Sequence, residues 1–193
     1  MNTPNEPPKE DRRVRYTKMV LRESLLELMA EKPLAKITPT ELCRRADVNR
    51  NTFYRHYRTP EDVLQETEDE LYRQVRQHIE TTNPATPEAG LKAIMDTIKE
   101  NQRFFTVLLS PNGNKAFIYR VIMVGREYLA SDYNIPLNEE VTSEQDQLFL
   151  FIVNGFIAVL QNWIASGMKQ STAEMAHLLS ALSKACLGAT EKK

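Results

Sequence analysis

The stretch from Thr38 to Tyr57, T-P-T-E-L-C-R-R-A-D-V-N-R-N-T-F-Y-R-H-Y, constrains the fold more than any other. It holds two helix starts, one helix stop and two apolar faces in close succession. Thr38 can cap a helix that has Pro39 at its first position and Glu41 at its third. That is a capping box, with proline at the helical position that tolerates it. Leu42 and Ala46 then share a face at i, i+4. Asp47 ends this helix and Val48 packs behind it. Asn49 is a second N-cap, and Phe53 and Tyr57 again share a face four residues apart. A short helix, a three- to four-residue turn and a second helix are the parts of a helix-turn-helix.

The second of these helices displays Arg50, Asn51, Thr52, Tyr54, Arg55 and His56. Few catalytic sites need that mix, whereas a surface laid against DNA does. The charge distribution agrees. Net charge is −1, yet residues 12–58 carry 12 Lys/Arg against 5 Asp/Glu, and the remainder carries 13 against 21. Such asymmetry points to a polyanion-binding end, because neutralising phosphates supplies the main sequence-independent part of DNA affinity. Arg12, Arg13, Arg15 and Lys18 crowd the start of the first predicted helix. Cations there oppose the helix dipole, and phosphate contact would favour them. Arg50 could pair with guanine O6/N7 and Asn51 with adenine N6/N7.

The rest of the chain reads as helices. A first helix is predicted from Arg12 to about Glu31, with Leu21, Leu25, Leu28 and Met29 as its apolar stripe. Thr59-Pro60-Glu61-Asp62 starts a fourth, running to about Glu80 with Val63, Leu64, Leu71, Val75 and Ile79 on one side. Thr86-Pro87-Glu88 is a further start signal, followed by Leu91, Ile94, Met95 and Ile98. Asn101–Leu109 reads as a short apolar helix, Ser110–Gly113 as a turn, Asn114–Ala130 as a helix and Ser131–Glu140 as a loop. Ser143 to about Gly167 is the most apolar helix, almost long enough to span a bilayer. Asn154 at its middle and the acidic residues before it favour a helix buried in a core or between subunits instead. Ser171-Thr172-Ala173-Glu174 is a capping box for a last helix with Met175, Leu178, Leu179, Leu182 and Ala185 as its stripe. The expected fold is all-α with about nine helices and no strand. The expected divisions are a mobile tail at 1–11, a helix-turn-helix domain at 12–58, a connecting helix at 59–80 and a C-terminal domain at 81–193.

Cys43 and Cys186 match no metal spacing; a packed thiol at Cys43 suits a reducing compartment. The first ten residues lack the apolar segment of a signal peptide, so a cytoplasmic placement without membrane is expected. There is no G-x-G-x-x-G, P-loop, H-E-x-x-H or G-x-S-x-G, and His56, His78 and His177 fall on different predicted helices. Neither an enzyme nor a metal or cofactor site is expected.

Residues 12–64 resemble the DNA-binding domain of TetR/AcrR-type bacterial transcriptional regulators. The resemblance is carried by L-x-L-M-A-E-K at 26–32, T-P-T-E-L-C-R-R-A-D-V at 38–48 and N-T-F-Y-R-H-Y-R-T-P-E-D-V-L at 51–64. The remainder agrees only in layout. The resemblance implies a homodimer that binds a palindromic operator, usually represses, and is released by a small molecule in the C-terminal domain. It implies phosphate contacts for Tyr54 and His56, base contacts for Arg50, Asn51 and Thr52, and backbone contacts for Thr38 and Thr40. Arg55 completes the expected DNA-binding set. Three positions depart from the pattern: Asp47 and Asn51 stand where glycine is common, and Pro60 where a lysine usually opens the fourth helix.

A two-fold protein reads a two-fold operator. The last two helices could form a four-helix interface with their mates, with Gly155 and Ala158 allowing close approach and Trp163, Met175, Leu178, Leu179 and Leu182 packing across it. Met95, Phe104, Phe105, Phe117, Tyr119, Met123, Tyr128 and Phe149 could line a pocket for an apolar or weakly polar effector. The alternative is a regulator of the same fold that activates, or acts through a protein partner, without any effector.

Overall fold

The computed structural model describes residues 12–82, 86–110, 112–114, 116–121, 123 and 144–190. These residues are helical throughout their regular structure, and no strand occurs among them. The chain divides into two compact units, Met1–Asp69 and Glu70–Lys193.

In the first unit, α1 spans Arg12–Glu31, α2 Pro39–Ala46 and α3 Arg50–Tyr54, and the first turns of α4, Pro60–Thr82, close it. The predicted stripe Leu21, Leu25, Leu28 and Met29 is buried, joined by Leu26 and Ser24. α1 packs on α2, and α2 on α3. Leu42 and Phe53 are fully buried, each side chain stabilising the unit by about 1.5–3 kcal/mol. Two sets of ion pairs fasten the seam: Arg45 to Glu31 and Glu27 at 2.9 and 3.4 Å, and Lys32 to Glu41 at 2.6 Å. Such partly exposed pairs add at most about 1 kcal/mol each, so the apolar contacts dominate.

Both predicted caps form. Thr38 Oγ1 accepts from Glu41 N, and Asn49 Oδ1 from Asn51 N. Asp47 ends α2 in the left-handed conformation, with φ 52° and ψ 42°. Val48 N donates to Cys43 O and Asp47 N to Arg44 O, the paired bonds of a Schellman stop. The helix opened by Asn49 is shorter than expected. Its helical residues end at Tyr54, and His56 N and Tyr57 N both donate to Phe53 O in the closing turn. At the start of α4 the cap comes from inside the helix: Asp62 Oδ2 accepts from Arg58 N and Thr59 N. Those two donors hold the Asp62 carboxyl below its ordinary range.

The second unit contains the remainder of α4, then α5 (Pro87–Glu100), α6 (Gln102–Leu108), a helical run at 116–121, α7 (Glu144–Ala165) and α8 (Thr172–Thr190). Ala89 N donates to Thr86 Oγ1 at the head of α5. At the head of α8 the capping box is complete: Glu174 N donates to Ser171 Oγ, and Ser171 N to Glu174 Oε2. Gly167 (φ 80°) and Met168 stop α7 with the same pair of bonds that stops α2, Met168 N to Trp163 O and Gly167 N to Ile164 O. After α6, a Cβ on Gly113 would lie 1.7 Å from Leu108 O, so only glycine fits that turn.

α5 and α8 form the main helix pair of this unit. The face α8 buries keeps Met175 and Leu179 of the stripe the sequence suggests and adds Ala176, Ser180 and Ser183. Leu178 and Leu182 are 44% and 45% exposed, and Ala185 is exposed as well. Ala176, Ser180 and Ser183 are small, so a neighbouring helix can come close on that side; hydrophobicity alone does not mark it. The predicted tail at 1–11, the loop at 131–140 and most of the 122–130 part of the predicted helix lie outside the described residues.

Candidate nucleic-acid interface

The helix-turn-helix separates its residues cleanly. Leu42, Cys43, Phe53 and Tyr57 face inward and are buried. Thr38, Thr40, Arg50, Asn51, Tyr54 and Arg55 are exposed, and Thr52 and His56 are half-buried. All eight predicted DNA-binding residues therefore lie within the α2–turn–α3 stretch and its closing turn. Phe53 supports Tyr54 edge-on, with ring centroids 5.3 Å apart. Arg50, the first residue of α3, reaches back to α2: its Nη2 donates to Thr40 Oγ1 at 2.6 Å. That link between the two helices carries no sequence signal, since the residues are ten apart and on different elements.

The Tyr57 side chain is 6% exposed, and its hydroxyl donates to Glu66 Oε2 on α4. Lys18 Nζ donates to Glu66 Oε1 at 2.9 Å. Burial pushes the Glu66 carboxyl up, but the hydrogen bonds from Tyr57 and Lys18, with the Lys18 charge, outweigh it and hold the group below its ordinary value. Lys18, read from sequence as one of the phosphate-seeking cations of α1, thus has an internal anion. Burial raises the Cys43 thiol above its ordinary value, which keeps it neutral and in the core.

The second unit presents different chemistry. Met95, Phe105 and Phe149 line an apolar cavity of about 60 Å³, with Phe156 and aliphatic side chains such as Ile94, Ile98, Ile152 and Leu160. Phe156 and the aliphatic residues are not among those expected from the sequence. Phe104 and Phe117 are buried against each other, with centroids 6.0 Å apart, and do not line the cavity. Tyr119 instead borders a separate groove of about 580 Å³ with Asn154, Ala158 and Gln161. Met123 is half-buried, and Tyr128 lies outside the described residues.

The expected interface residues also divide. Gly155, Ala158, Leu178 and Leu182 are exposed. Trp163, Met175 and Leu179 are at most 2% exposed within the protomer. Trp163 Nε1 donates to Gln170 O at 3.0 Å. These three belong to the core of the unit, and the sequence reading is corrected there: side chains already enclosed cannot anchor a partner. What α7 exposes instead is Phe151, 69% exposed, which the sequence reading did not single out.

Residues 85–185 match the TetR-type family described as the transcriptional regulator C-terminal region. The chain belongs to the TetR family of transcriptional regulators. A stretch of 120 residues, 60% of the chain, is 30% identical to an uncharacterised HTH-type transcriptional regulator, YxbF, of Bacillus subtilis strain 168. That match spans 30% of the relative's length. The fold is similar to that of a TetR transcriptional regulator from Streptococcus agalactiae 2603V, with TM-score 0.63 and 23% identity over 90% of this chain and 96% of that one. It is also similar to a transcriptional regulator from Aquifex aeolicus VF5, with TM-score 0.58 and 19% identity over 87% and 98% of the two chains. TetR-family regulators bind DNA and typically dimerise. The family match falls on the second unit, so the helix-turn-helix geometry of the first unit is an observation separate from it.

Proposed function

We propose that this TetR-family chain is a cytoplasmic, sequence-specific repressor that binds a palindromic operator as a homodimer. The observation that carries the reading is the sorting at α2 and α3. Leu42, Cys43, Phe53 and Tyr57 are turned inward, and an exposed face of Arg50, Asn51, Tyr54 and Arg55 is left, on elements pinned by two capped helix starts. Arg50, Asn51 and Thr52 read base edges; Thr38, Thr40, Tyr54, Arg55 and His56 meet phosphates. The exposed apolar side chains of α7 and α8, Phe151, Leu178 and Leu182, pack on their mates in the dimer together with Gly155 and Ala158.

For an effector the support is thinner. The apolar cavity of about 60 Å³ is well below the roughly 300–1,000 Å³ of ordinary ligand pockets, whereas the groove of about 580 Å³ beside Tyr119 lies within that range. The second reading is a regulator of the same fold that works without a small-molecule effector, as an activator or through a protein partner. A thermal-shift screen separates the two: stabilisation by an apolar compound supports the effector, and a partner that binds with no ligand response supports the second reading.

Selecting bound duplexes from a random pool tests the DNA reading. The expected product is a palindrome with half-sites one or more helical turns apart. Arg50→Ala then weakens binding and relaxes specificity at one position per half-site. A chain that stays monomeric at micromolar concentration and ignores every duplex at low salt overturns the reading.

A further inference from the structure

We propose that Thr40 is a positioning residue for Arg50, and through it a determinant of which base Arg50 reads; this rests on the DNA reading above. The geometry is direct. Thr40 sits at the second position of α2, and Thr38 caps that helix by accepting from Glu41 N. Its Oγ1 accepts from Arg50 Nη2 at 2.6 Å. Arg50 is the first residue of α3, whose start is fixed by Asn49 accepting from Asn51 N at 2.8 Å. Both ends of the Thr40–Arg50 link are therefore on capped helix starts, and the turn between them is held by the two bonds that stop α2.

A guanidinium has five N–H donors, four of them paired in two forks. Thr40 occupies one Nη2–H. Whichever of the two that is, it belongs to one fork and leaves the other fork whole. A free fork is what guanine O6 and N7 require. An exposed arginine otherwise spreads over many rotamers and must be ordered when DNA binds, at a cost of about 0.5–1.5 kcal/mol, or roughly 2- to 10-fold in affinity. Thr40 takes part of that ordering out of the binding step. It also selects one aim for the fork, which is a specificity effect and not only an affinity effect. The sequence places a threonine here in the role of a backbone contact; the structure gives the hydroxyl a second and different task.

The test uses the full chain, its selected duplex, and duplexes carrying each other base pair at the position Arg50 reads. Thr40→Val keeps the side-chain shape and removes the acceptor. Binding of the selected duplex falls about 2- to 10-fold, and the preference at that one position narrows. Thr40→Ser restores both. The slope of affinity against salt stays as in wild type, because a neutral hydroxyl releases no counterion. Adding Thr40→Val to Arg50→Ala costs only the phosphate contact of Thr40, equally on all duplexes, and changes no preference at that position, since the specificity effect acts through the arginine. Circular dichroism melts confirm folding, and Thr40→Ala takes the place of the valine variant should that one unfold.

An equal loss on all duplexes makes Thr40 a plain backbone contact and overturns the assignment, as does wild-type binding by Thr40→Val. Wild-type protein that binds no duplex overturns the DNA reading itself, whereas wild-type binding with an indifferent Thr40→Val overturns only the positioning role.

Discussion

The two units differ most in what they leave uncovered. Around α2 and α3 the uncovered side chains are cationic or hydrogen-bonding, and the apolar ones are spent on the core. On α7 they include Phe151, Gly155, Ala158 and Ala165 beside the amides of Gln147, Asn154, Gln161 and Asn162. Gln147–Ala165 is long and apolar enough to cross a membrane, yet only 22% of its most apolar window is buried inside the protomer. Phe151 at 69% exposure, with Leu178 and Leu182 on α8, shows where. A surface of mixed charge and amides asks for a polyanion. A surface of Phe and Leu asks to be removed from water, and large exposed apolar patches mark interaction sites. Among the described residues the first unit exposes Tyr16 and Met19 on α1, and the second Phe151, Leu178 and Leu182, which the proposed function covers with a second copy.

The largest effect is expected from attacking the exposed apolar side chains of the second unit. Leu178→Glu combined with Leu182→Glu alters two side chains outside the protomer core, so the fold survives. Sedimentation should show a monomer. Affinity for the palindrome should fall by about 10²- to 10⁴-fold as the second half-site contact ceases to be intramolecular. Binding to a single half-site should not change. A variant that stays dimeric, or that loses half-site and palindrome affinity alike, removes the distinction between the units.

Next in size is a probe of how separately the two units hold together. Phe53 is fully buried in the first unit, and Trp163 is the chain's single tryptophan, buried in the second. Phe53→Ala should cost the first unit about 3–5 kcal/mol, read as lost duplex binding and an early melt by circular dichroism. The emission of Trp163 should keep its wild-type denaturation midpoint. A matching shift in that emission would mean the two units unfold together.

The same difference sets how much of the molecule could be read from residues alone. In the first unit each element is announced by a local device: Thr38 and Asn49 for the starts, Asp47 for the stop, i, i+4 pairs for the inward face. These act within a few residues; the two caps, the stop and the Phe53/Tyr57 pair are present in the structure, and of the Leu42/Ala46 pair Leu42 is buried and Ala46 half-buried. The second unit's starts at Thr86 and Ser171 were equally legible. Its faces were not. Leu178 and Leu179 are chemically equal, and only the position of a neighbouring helix buries one and exposes the other. Trp163 looked like an anchor for a partner because its size suits one; its indole N–H found a carbonyl seven residues on, at Gln170. The Thr40–Arg50 contact escaped for a related reason: a bond between the heads of two helices depends on their mutual angle, which no periodicity encodes.

The smallest expected effect concerns Asp47, where a local device is present in an imperfect form. The residue sits at φ 52°, ψ 42°, at the position after α2 that glycine fits best. A side chain in that conformation costs about 1–2 kcal/mol, less for Asp than for most. Its carboxylate also stands at the negative end of a helix dipole, which is unfavourable by several tenths of a kcal/mol. Asp47→Gly relieves both, and loses part of the gain because glycine gives the unfolded chain more freedom. The net expectation is a stabilisation of about 0.5–1 kcal/mol, seen as a higher melting temperature of the first unit with Trp163 emission unmoved. Asp47→Ala should go the other way, since it keeps the Cβ and gives up the tolerance of Asp for this conformation. If glycine destabilises instead, the carboxylate has a favourable role that outweighs backbone and dipole together. The turn between α2 and α3 would then be held by this side chain as well as by its two backbone bonds, and the first unit would be less purely local than its sequence suggests.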